Sequence, residues 1–90
     1  YKPIDHPKIP KWEMQLSSAA VCMNLLNCAQ SMGYAAQWLT EWYAYNNKML
    51  ERLGGDINKD LISGFIYIGM KIDEPTERKR PNPSDVITYL

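Results

Sequence analysis

From Lys11 to Met32 the apolar residues recur at helical spacing, and they do so on more than one face. Leu16, Ala19, Ala20, Met23 and Leu26 make one stripe, while Val21, Cys22, Leu25, Cys28 and Met32 make a second. No charged residue lies between Glu13 and Glu41. A helix that is apolar on most sides is expected to be buried on most sides. Pro10 stands where such a helix can begin, and Gly33 where it can end in the left-handed conformation. Gln15, Ser17, Ser18, Asn24, Asn27 and Gln30 interrupt the apolar run too often for a bilayer span. The expected helix, residues 11–32, therefore packs on a sheet and on a partner subunit. The small residues Ser17, Ser18, Ala19 and Ala20 would admit another helix closely.

Beyond Gly33 the period shortens. Residues 34–40, Tyr34-Ala35-Ala36-Gln37-Trp38-Leu39-Thr40, read as a short strand, and Glu41-Trp42-Tyr43-Ala44-Tyr45 suits either a loop or a helical turn. Asn46 or Asn47 then caps a short helix over 46–53, which Gly54-Gly55 stops. Residues 61–69, Leu61 to Gly69, are β-branched and aromatic and predict a buried strand. A proline-stiffened basic loop follows, with Glu77-Arg78-Lys79-Arg80-Pro81 at its centre, and residues 75–90 close the chain with strand-like residues at the very end. An end so apolar is expected to be tied down, for example along a neighbouring sheet edge. Residues 1–10 are proline-dense and read as an extended lead-in that continues a longer chain.

Composition narrows the function classes. At 90 residues, a single small domain buries only about 60–65% of the surface its unfolded chain exposes. Yet 46% of the residues are hydrophobic, including three Trp and six Tyr, which implies apolar surface covered by another chain. The formal net charge is zero, so no overall field favours nucleic acid or an anionic membrane. Cys22 and Cys28, six apart in a helix, face different ways and do not suit a mutual disulfide; they read as buried thiols in a reducing, cytoplasmic setting. His6 has no ligand partner at metal-binding spacing. Neither an acid–base pair nor a nucleophile with a matching base stands out.

The order of these segments carries a resemblance. Residues Ala19 to Leu26 in the long helix, Met32 to Thr40 after it, Ile62 to Gly69, and the proline–arginine stretch Pro75 to Pro81 resemble the C-terminal half of the flavin-dependent nitroreductase family, in particular its small single-domain members. His6 to Glu13 is similar to the segment that leads into the same helix. The likeness runs over nearly the whole chain. It implies an α+β fold, with a long buried helix packed on a mixed sheet and an extended C-terminal tail. It also implies a homodimer with FMN at the subunit interface and NAD(P)H as co-substrate. Trp38, Leu39 and Thr40 fall where the family's loop lies against the flavin. Arg78 and Arg80 fall on the basic positions that hold the FMN phosphate, with Lys79 between them. Alternate residues of an extended segment point the same way, so those two arginines can converge on one anion. Guanidinium forks match phosphate oxygens bidentately.

Each assignment has an ordinary counterpart. A lone Trp is more often a core aromatic, and a charge run is more often a solvated turn. Trp42, Tyr43 and Tyr45 suit packing between subunits better than a substrate channel. Family members carry a second, arginine-rich FMN motif in their N-terminal half, and no basic cluster precedes Arg78 here. The expectation is thus the C-terminal portion of an FMN-dependent oxidoreductase, inactive without the missing N-terminal half of the same domain. The rival reading is a small helical dimerisation module with no cofactor.

Overall fold

Backbone hydrogen bonds at its two ends explain where the long helix starts and stops. The structure, a computed structural model, describes residues 1–90. Helix α1 spans Lys11–Ser31. Pro10, extended at φ −62°, offers its carbonyl to the N–H groups of Glu13 and Met14 at 3.0 and 3.3 Å. At the other end Gly33 takes φ +86°, its N–H donates to the Gln30 carbonyl, and the Tyr34 N–H donates to the Ala29 carbonyl. That pair of bonds is a Schellman closure, and its left-handed residue favours glycine.

The chain then forms β1 (Ala35–Leu39), α2 (Glu41–Ala44), α3 (Asn47–Arg52), β2 (Phe65–Gly69) and α4 (Pro83–Val86). Asn46 caps α3, its Oδ1 accepting from the Met49 N–H at 3.2 Å. The two strands pair antiparallel, with Ala35 opposite Gly69, Gln37 opposite Tyr67 and Leu39 opposite Phe65. The sheet is therefore two antiparallel strands, in place of the expected mixed sheet; the chain supplies no parallel neighbour. Side chains alternate between its faces. Half-buried Ala36, Trp38 and Ile66 form the side toward α1, which touches both strands. On the opposite side Tyr43 of α2 packs edge-on against Phe65, ring centroids 4.9 Å apart.

Three further expectations need correction. The strand predicted over 61–69 begins only at Phe65, because Leu61 to Gly64 turn aside to meet other segments. Leu61 exchanges two backbone bonds with Tyr1, and Gly64 adopts φ +151°. Near the end of the chain stands one helical turn, Pro83–Val86, and residues 87–90 form no strand: Asn82 precedes Pro83 at the first helical position, where a ring-fixed φ and a missing N–H cost nothing. Within this chain the tail has no cover, and every residue from Tyr67 to Leu90 is exposed. Of the two thiols, Cys22 is buried and Cys28 is exposed, as a turn of about 120° between helix positions six apart requires.

Little of the chain is wholly inside. Only Cys22, Ala29, Ala44 and Asp60 are buried. Within this chain α1 is not covered on most sides: Trp12, Leu16, Val21, Met23 and Leu25 are 46–64% exposed. The accessible surface is 8064 Å², against about 5,400 Å² for a compact monomer of this mass. The radius of gyration, 16.6 Å, likewise exceeds the roughly 12 Å of a compact chain of this length. No helix is long and apolar enough to cross a membrane.

Candidate flavin-facing cavity

The turn from β1 into α2 opens a cavity of about 510 Å³ between α1, α3 and the segment before β2. Trp38 and Thr40 line it, with Tyr45, Asn47, Asp60 and Ser63 among the other walls. Leu39 does not, because strand alternation sends it to the far face opposite Phe65. Of the three residues expected against a flavin, two thus meet in one cavity and the third backs the strand. A larger groove of about 970 Å³ lies at the other end of the sheet, by Gly33, Gln37 and Tyr67, but contains none of the expected residues.

Trp38 is fixed from three directions. Its indole Nε1–H donates to the Ser63 carbonyl at 3.0 Å. Ser63 in turn shares a hydroxyl–hydroxyl bond of 2.5 Å with Ser18 on α1. Gly64 closes the third side, since a methyl group there would overlap Nε1 and Cδ1 of the indole. An indole held this way presents an aromatic wall with its polar atom already satisfied. Thr40 is exposed, precedes α2 and makes no cap bond through its side chain, so its hydroxyl is available to a ligand.

Asp60 is the one buried charged residue, 6% exposed. Its Oδ2 accepts the Asp56 N–H at 2.9 Å and lies 3.8 Å from Lys2 Nζ. Such pairing is what a buried carboxylate requires. Next to it, the Asn58 backbone N–H and then the Lys59 ammonium hold the Asp56 carboxyl below its ordinary range. Across the sheet the Tyr43 and Tyr67 hydroxyls meet at 3.2 Å. That bond, with desolvation and the charges of Tyr67 and Glu41 behind it, pushes the Tyr43 phenol up to about 12.

The basic segment stands apart. Arg78, Lys79 and Arg80 are exposed on irregular chain and line neither cavity. Arg80 donates from Nε to Glu77 Oε1 at 2.8 Å, so within this chain it turns to a carboxylate and not to an anion shared with Arg78. Asp60, Ser63, Gly64 and the tyrosine pair were not singled out from sequence. The one available signal was Ser63-Gly64, a polar, flexible step inside an apolar run.

Comparison with known proteins finds curated relatives along nearly the whole chain. The chain is 27% identical over 91 residues to the Escherichia coli K12 protein named "Putative NAD(P)H nitroreductase YdjA", an alignment covering 96% of this chain and 47% of that protein. The protein of the same name from Escherichia coli O157:H7 matches to the same extent. The chain thus spans about half the length of the curated relatives it matches. No family model matches it.

Proposed function

We propose that this chain is the C-terminal part of an FMN-dependent oxidoreductase of the nitroreductase type. Such an enzyme moves hydride from NAD(P)H to nitroaromatic, quinone or similar acceptors. The observation that carries the reading is the alignment over 96% of the chain with relatives named as NAD(P)H nitroreductases. The donor set supports it in part. A cavity with one indole wall, a free threonine hydroxyl and a polar rim suits a flat heteroaromatic ring. Arg78 and Arg80 are of the right chemistry for a phosphate, though Arg80 would have to release Glu77 first.

FMN, when bound, supplies the redox chemistry, and the protein supplies position and surroundings. Trp38 would stack or abut the ring, Leu39 would back the strand beneath it, and Thr40 would offer a hydroxyl to its polar edge. Arg78 and Arg80 would hold the phosphate. The surplus of roughly 2,700 Å² over a compact monomer supports covering of this chain by the rest of the domain and by a second copy. A stable interface buries about 1,200–2,000 Å² in all, so the surplus is large enough for such a role.

The test uses protein expressed from its complete gene and reconstituted with FMN. The expected result is retained flavin absorbance after gel filtration, lost in the double variant R78A/R80A and kept in K79A. Equal losses in both would mean a diffuse electrostatic patch. Absence of flavin from the unmodified protein would overturn the reading and leave the cofactor-free dimerisation module in its place.

A further inference from the structure

We propose that Gly64 is a positioning residue: with Ser63 it latches the Trp38 indole in place as a rigid aromatic wall of the cavity. The latch rests on geometry alone; its use for holding a flat heteroaromatic ring rests on the flavin reading above.

Several independent features converge on one side chain. The indole N–H is used up on the Ser63 carbonyl at 3.0 Å, which sets both the position and the tilt of the ring. The backbone at Gly64 has φ +151°, a conformation that side chains rarely adopt. A Cβ added there would overlap the indole and lie 3.1 Å from the Leu39 carbonyl oxygen. Glycine is thus required twice, once by the backbone angle and once by the ring lying on it. The Ser63–Ser18 hydroxyl bond then carries the same segment to α1. Strand, pre-strand segment and long helix therefore meet at the edge of the cavity, the helix reaching Trp38 through Ser63.

The interruption of the β2 run follows from this. Were Ser63 and Gly64 regular strand residues, the Ser63 carbonyl would be engaged in the ladder or turned to solvent. Stepping out of the strand aims that carbonyl at the indole, and the cost in pairing is offset by a fixed wall. Residues that hold a site's side chains in one rotamer determine how well it fits its ligand.

The experiment is an NMR and stability study on protein expressed from its complete gene. The Trp38 indole N–H signal is assigned by its loss in W38F. Its exchange with solvent should be about tenfold slower in the unmodified protein than in G64A, where the bond to the Ser63 carbonyl is displaced. The Trp12 and Trp42 indole signals should stay in place in G64A. If Trp38 exchanges equally fast in both proteins, the latch does not exist.

A second comparison separates the ring from the backbone angle. G64A should cost several-fold more in the folding equilibrium with Trp38 present than in a W38A background, where the overlap is gone but the φ strain remains. Should G64A alone fail to fold, recovery of folding in W38A/G64A is the expected result. An equal cost in both backgrounds, or no recovery, would mean that Gly64 serves only the chain turn. FMN is the ligand probe: G64A should weaken its binding about tenfold. Binding that is unchanged in G64A overturns the positioning role. If the unmodified protein binds no FMN while the exchange and coupling results hold, the flavin reading falls and the latch stands.

Discussion

Replacing Trp38 by Phe probes the junction on which the cavity depends. The substitution removes the indole N–H that reaches the Ser63 carbonyl at 3.0 Å, and it leaves that carbonyl without its partner in a half-buried place. Loss of one neutral hydrogen bond costs about 0.5–1.5 kcal/mol, and the orphaned acceptor moves the cost to the upper part of that range. The smaller ring adds a transfer and packing loss of about 1 kcal/mol, because the site is only half buried and can partly collapse. The expected destabilisation is therefore roughly 2 kcal/mol. Urea denaturation of the complete protein should show it as a lower midpoint at unchanged slope. If W38F stays within about 0.5 kcal/mol of the parent, the indole bond contributes nothing and the description of the cavity wall is wrong.

Removing the α3 cap with Asn46→Ala should cost about 1 kcal/mol, because the Met49 N–H loses its acceptor, and Asn46→Ser should recover most of it in the same denaturation assay. A phenolate absorbance titration should show Tyr43 ionising above the ordinary tyrosine value. Its folded value, about 12, is raised above the ordinary value of about 10, so the contribution is fully present below about 10 and lost as pH rises through 12. Tyr67→Phe should bring the titration of Tyr43 back toward the ordinary range. Acid acts on the carboxylates. Lys11 holds the Asp5 carboxyl low, first by a hydrogen bond at 2.9 Å and then by charge. A lowered carboxyl stabilises above its unfolded value and loses that contribution as pH falls through the folded one. Carbon-detected NMR of the side chains should show Asp5 and Asp56 titrating lower than in the variants K11M and K59M, respectively.

Where a local rule and the tertiary demand coincide, the element was legible from its residues. Pro10 and Gly33 bracket α1 within a residue, since a ring-fixed start and a left-handed stop are set by the backbone itself. Asn46 marks α3 for the same reason, and the strand expected over 34–40 is found at Ala35–Leu39. The failures have a common cause: a residue type that fits two roles, with the choice made by a distant segment. Leu61 and Ile62 are good strand residues, but Tyr1 and Trp38 draw their neighbourhood out of the ladder. Val86, Ile87 and Tyr89 are strand formers too, yet Asn82-Pro83 starts a helical turn just ahead of them. The candidate site was legible only as Trp38 and Thr40. Asp60, Ser63 and Gly64 gain their roles through partners as far as 58, 45 and 26 positions away, and no short window along the chain contains those pairs.

The apolar circumference of α1 joins these observations to the function. A helix serving only the two-stranded sheet would need one apolar stripe, yet Trp12, Leu16 and Met23 fall on a side that Cys22 and Ala29 do not share. Leaving such side chains in water forgoes about 25 cal/mol for each Å² that could be covered. The assembly proposed above would bury those faces. The arginines likewise find only Glu77 within this chain although their forks suit a phosphate. Two sets of residues, apolar on α1 and basic after β2, are therefore more than this chain's own packing uses. The proposed assembly, with the rest of the domain and a second copy, would use both, covering α1 and bringing the cavity of Trp38 and Thr40 together with Arg78 and Arg80 around one cofactor.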